Sequence, residues 1–165
     1  MKRLALTLLC LLLPSVAGAA MTCVDDGVKY WSASGDYRLS MTCTFDTTPG
    51  TAVDTLPATI QAVIDRPVFV TAFSIVPGDT GPTDNSDLEI KDAVGRTIVS
   101  AAGNGANVID ETTVTSLIYG DGPTAGSTNH HPKGDGQEWT VTVTNNAVNS
   151  SSFQLIMQAE EQRRQ

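Results

Sequence analysis

The chain has 165 residues, 41% of them hydrophobic and 5% aromatic, and a formal net charge of −8. An acidic balance of this size disfavours nucleic acid and anionic membrane surfaces as partners, since both are bound through clustered Lys and Arg. Beyond the first 20 residues, a chain of about 145 residues is the size of one ordinary domain.

Residues 1–20, MKRLALTLLCLLLPSVAGAA, place Lys2 and Arg3 before an apolar run and a small-residue cluster ending at Ala20. This is the layout of a secretory signal peptide, with cleavage after Ala19 or Ala20. The run is too short to cross a bilayer, which takes about 20 apolar residues, and no second run follows, so no transmembrane anchor is expected. Lipidation of Cys10 is the alternative, opposed by bulky Leu8 and Leu9 just before it. Without Lys2 and Arg3, eight cations face 18 acidic residues and the net charge becomes −10. Removal of Cys10 with the leader leaves Cys23 and Cys43, an even pair in a chain bound for a secreted or periplasmic location, where a disulfide is expected. Two buried free thiols are the other reading of the pair, and metal binding by two isolated cysteines is disfavoured.

Residues 28–32 (VKYWS) predict a short strand and Ser34-Gly35 a turn. In residues 36–46 (DYRLSMTCTFD), Tyr37, Leu39, Met41, Cys43 and Phe45 alternate with polar residues, the period of a half-buried strand. Residues 47–59 contain Pro49-Gly50 and Pro57, and predict a loop or a crossing between sheets. Residues 60–64 and then 68–76 (VFVTAFSIV) read as strands, the second central from its β-branched and aromatic content. Residues 87–91, a turn over 92–95, and residues 96–100 predict a hairpin. Residues 108–119 are apolar without a clean period and support no assignment. Residues 120–136, with five glycines and two prolines, predict a surface excursion. Residues 138–144 and 152–159 read as two more strands, and residues 160–165 as a polar C-terminal tail.

About seven to eight short strands with turns between them and no long amphipathic helix predict an all-β fold. An antiparallel β-sandwich, jelly-roll or Ig-like, over residues 21–159 is expected, with a partly open β-barrel as the alternative.

Three sets of residues stand out chemically. His130 and His131, near Asp121, Asp135 and Glu138, are of types that hold transition metals, although adjacent side chains diverge in extended chain; a solvated polar loop is the plainer reading. Asp79, Asp84 and Asp87, with Asn85, offer oxygen ligands for calcium but lack EF-hand spacing, and the same residue types build turns. Tyr30, Trp31, Tyr119 and Trp139 are the aromatics from which a sugar-stacking platform would be drawn, unless the core needs them; Trp139, with the two histidines, is the ligand-binding expectation. Asn149-Ser150-Ser151 is a formal glycosylation sequon. No GxSxG, HExxH or catalytic-cysteine motif occurs, and no enzyme is expected.

Residues 73–98, FSIVPGDTGPTDNSDLEIKDAVGRTI, resemble a pattern of small β-rich proteins encoded among the structural genes of tailed bacteriophages, in which a strand enters a PGxTxPTDxxD turn, an alternating strand and a DxxG hairpin. Residues 140–155, TVTVTNNAVNSSSFQL, are similar to their closing hairpin, and the likeness spans residues 68–159. The resemblance implies a virion-associated structural role without catalytic residues, in tension with a leader and a cysteine pair suited to export. The expected function is therefore a noncatalytic exported or virion-associated assembly protein, self-associating or joined to other structural proteins; the alternative is a secreted module that binds carbohydrate or calcium.

Overall fold

The computed structural model describes residues 20–46, 50–66, 68–92, 94–100, 103, 105–118 and 138–161. Among the described residues nine strands and one helix follow one another: β1 (Met21–Trp31), β2 (Asp36–Phe45), β3 (Gly50–Thr55), α1 (Ala58–Ile64), β4 (Val68–Pro77), β5 (Asp87–Lys91), β6 (Thr97–Val99), β7 (Thr115–Ile118), β8 (Thr140–Asn146) and β9 (Ser152–Glu161). They form two antiparallel sheets, β1-β2-β9-β4-β7 and β3-β8-β5-β6. The chain is an all-β sandwich, and its sheets do not close into a barrel, which removes the barrel alternative.

The alternation of β2 is realised in full. Tyr37, Leu39, Met41, Cys43 and Phe45 are buried, and share the inner face of their sheet with Phe153, Leu155, Met157 and Ala159 from β9 and Phe73 and Ile75 from β4. The four-stranded sheet supplies Ala52, Leu88, Ile90, Val99, Val141 and Val143 to the same core. Fully burying each large apolar side chain contributes roughly 1.5–3 kcal/mol, so the facing rows supply the main drive for the two sheets to close on one another.

Four expectations change. Residues 60–64 form part of α1, not a strand: Ile60, Val63 and Ile64 sit at i, i+3 and i+4 and are buried, and a five-residue apolar run does not separate strand from helix by composition. Within the expected loop over residues 47–59 lies β3, an edge strand paired with β8; the crossing between sheets is nevertheless made here. β8 and β9 are not a hairpin, since they belong to opposite sheets, and the segment between them turns a corner. That corner is built on Asn146, 2% exposed, whose Oδ1 accepts from the amides of Thr83 and Val148 and whose Nδ2 donates to Val148 O and Ser151 Oγ. Finally, β9 continues to Glu161, because Val68 and Phe69 pair with Glu161 and Glu160; the polar tail starts later than residue 160.

The hairpin over residues 87–100 forms as expected, between β5 and β6. Its turn is held by buried Asp92, whose Oδ1 accepts from the amides of Val94 and Arg96 and whose Oδ2 pairs with Arg96 Nε at 2.6 Å. Gly95 takes φ +81°, which a side chain would oppose.

Candidate functional site

The outer face of the five-stranded sheet carries a surface groove built from described residues. Its composition follows from the pleat: in β2 the residues between the buried ones, Asp36, Arg38, Ser40 and Thr42, point outward, and in β9 so do Gln154, Gln158 and Glu160. The contribution of β1 is less direct. From Met21 to Asp25 the odd residues face the core, so an unbroken strand would turn Lys29 and Trp31 inward. A β-bulge between Asp25 and Gly27 inserts one residue and reverses the faces. Gly27 adopts φ +135° there, and its amide donates to Asp25 Oδ1 at 2.7 Å. Beyond the bulge, Lys29 and Trp31 pair with Arg38 and Asp36 and lie on the outer face.

Two cross-strand rows result, Trp31–Asp36–Glu160 and Lys29–Arg38–Gln158. All of these but Lys29 line a groove of about 420 Å³ bordered also by Ser34, Tyr37 and Thr71. Trp31 is 48% exposed. Among the described residues, the side chains of Asp36, Arg38, Gln158 and Glu160 make no hydrogen bond or ion pair. A second depression of about 230 Å³, lined by Asp26, Gly27, Lys29, Ser40 and Gln154, shares Arg38 with the first and extends the groove along β2. Its floor is tied down by Asp26 Oδ2, which accepts from Thr42 Oγ1 at 2.7 Å and Gln154 Nε2 at 2.9 Å.

At the same end of the sandwich, Tyr37 lies beneath the groove with its ring stacked on that of Tyr30, centroids 4.6 Å apart. Its hydroxyl donates to Glu161 Oε1 at 2.8 Å, and burial together with that bond raises its pKa above the ordinary phenol value. The phenol stays protonated and the bond holds the end of β9 in place.

The residues singled out in the sequence are distributed differently. Cys23 and Cys43 form the expected disulfide, as a directly opposed pair on β1 and β2. Trp139 is a core side chain, 2% exposed, and presents no face to a ligand; as the first residue before β8 it was placed on the apolar side by its alternation with Val141 and Val143. His130, His131 and Tyr119 lie outside the described residues. Asp79, Asp84 and Asp87 do not converge: among the described residues no three metal-ligating side chains gather. Asp84 accepts from the Glu111 amide, whereas Asp87 accepts from the Asn107 amide, Thr144 Oγ1 and Asn145 Nδ2, so these two carboxylates serve as turn anchors. The glycines of this segment are required by close approach: a Cβ at Gly78 would sit 2.9 Å from Ser152 O, and one at Gly81 would sit 2.5 Å from Glu111 O.

The edge of β1, a candidate for strand pairing with another chain, is blunted. The Cys23 amide, on the side away from β2, donates to Asp54 Oδ2 at 2.6 Å, and Thr59 Oγ1 donates to Asp25. A carboxylate on an edge amide opposes addition of a further strand. No family model matches the chain, and no curated protein matches it in sequence.

Proposed function

We propose that the chain is an exported, noncatalytic recognition module whose binding surface is the outer face of the five-stranded sheet. The observation that carries this reading is the Trp31 groove, where four charged or amide side chains without partners among the described residues surround a half-exposed indole. Exposed polar groups on a sheet face are held by solvent or by cross-strand neighbours. A set left unpaired beside an aromatic has its donors and acceptors available to a ligand. Export is supported by the leader-like N-terminus and by the disulfide, which suits an oxidising compartment. The test is co-sedimentation of the mature, oxidised protein with envelopes of the cells that export it. Wild type is expected to sediment and Arg38→Glu to remain in solution; no sedimentation, or equal sedimentation of both, refutes the reading.

An assembly role, including the virion-associated role implied by the phage-type turn segment, is the second reading. It is favoured by Val24 and Val53, 60% and 55% exposed, on the two edge strands joined by the Cys23–Asp54 hydrogen bond. With the β1 edge blunted, such assembly would use this apolar seam. Light scattering on the mature protein, with Val24→Asp as control, decides whether a discrete oligomer forms through it.

A further inference from the structure

Trp31 alone would mean little, because single exposed apolar residues are ordinary. Its surroundings narrow the chemistry. The groove beside it offers carboxylate acceptors from Asp36 and Glu160, guanidinium donors from Arg38, and both kinds from the Gln158 carboxamide. Hydroxyls, which donate and accept together, set along the edge of a ring whose apolar face meets the indole would satisfy all of these groups. Three carboxylates, Asp26, Asp36 and Glu160, against two cations, Lys29 and Arg38, disfavour a phosphorylated or sulfated ligand, and the acidic chain adds to that. The continuation of the groove past Arg38 to Ser40 and Gln154 provides for more than one ring.

We infer that the outer-face groove binds a neutral oligosaccharide, with one pyranose ring stacked on Trp31 and its hydroxyls held by Asp36, Arg38, Gln158 and Glu160. Trp31 and Lys29 reach that face only through the bulge at Asp25–Gly27, so the strand irregularity is what assembles the site. Ligand affinity is lodged in few groups: of the two aromatics that line the groove Trp31 is the exposed one, Tyr37 being buried beneath it, and Arg38 links the two halves. This inference rests on the recognition reading above, and adds the ligand class to it.

The chain has two tryptophans, of which Trp139 is buried, so iodide quenching reports Trp31 selectively. The experiment screens the mature protein on an array of neutral hexose and N-acetylhexosamine oligosaccharides, then titrates the bound glycan while quenching is followed. Protection of Trp31 from iodide is expected, with binding weakened about tenfold or more by Trp31→Ala, the scale of losing an aromatic anchor. Trp31→Phe should retain most of the binding. The unchanged emission of Trp139 in Trp31→Ala shows that the core is intact. Absence of binding to every glycan, or a bound glycan indifferent to Trp31→Ala, overturns the inference. Envelopes treated with periodate, which cleaves sugar diols, or with protease separate the two levels. Binding that survives periodate but not protease overturns the sugar and keeps the recognition surface, with a peptide as its ligand; envelopes that never bind overturn both.

Discussion

Reducing the Cys23–Cys43 disulfide should weaken the fold by about 3 kcal/mol. The two residues are 20 apart in sequence, and the chain-entropy relation for a loop of that size gives about 11 cal/mol/K, or about 3 kcal/mol near room temperature. Against a typical stability of roughly 5–15 kcal/mol, that is a fifth or more of the total. The effect should be concentrated on β1, an edge strand whose one neighbour in its sheet is β2. Guanidinium unfolding followed by fluorescence, on oxidised and thiol-reduced wild type at one pH, isolates the cross-link because the side chains are otherwise the same. Trp31, at the far end of β1, should become more accessible to iodide before global unfolding. A difference below about 1 kcal/mol would refute the reasoning, and would mean that the hairpin of β1 and β2 already holds the two cysteines together in the unfolded ensemble.

Other expectations follow from individual contacts. Asp54→Ala uncovers the Cys23 amide, and should lower stability by about 1 kcal/mol and promote association through the β1 edge, read by denaturation and light scattering. Asp92→Ala removes the acceptor of two turn amides and the partner of Arg96, and a loss of about 2 kcal/mol with fraying of the β5–β6 hairpin is expected in hydrogen exchange. Asp110 accepts from the Thr112 and Thr113 amides, which lower its pKa below 3.8; its stabilisation of that turn is therefore present above that value and lost as pH falls through the lower folded pKa, visible in the two amide shifts by NMR. Millimolar calcium should leave the thermal midpoint where chelator leaves it, because Asp84 and Asp87 are engaged separately; an upward shift would show that the segment rearranges around the ion.

Much of the architecture is legible locally. The strict alternation of residues 37–45 identifies a half-buried strand because a pleated chain turns successive side chains to opposite faces, and the Asp92–Gly95 turn is legible because Asp and Gly each have a specific backbone reason to be there. Cys23 and Cys43, the two cysteines beyond residues 1–20, point to one bridge, and the bridge forms. Where the pattern is short or the partner distant, the sequence is silent. Ile60, Val63 and Ile64 fit a helix by spacing, but five residues are too few to decide it. β3 is a strand because β8 lies beside it, and β8 and β9 part company because each finds its partner in a different sheet.

The candidate site depends most on tertiary structure. The outward residues of β2 follow from its alternation, but the face that Lys29 and Trp31 occupy does not, since one inserted residue at the bulge exchanges the faces of all that follow in β1. Alternation and turn residues therefore established the β class, and composition a chain with enough apolar residues to make two facing layers. Alternation with Val141 and Val143 points Trp139 to the core, whereas only the paired strands decided that Trp31 stands in solvent, because its face is set by register against β2 across the bulge.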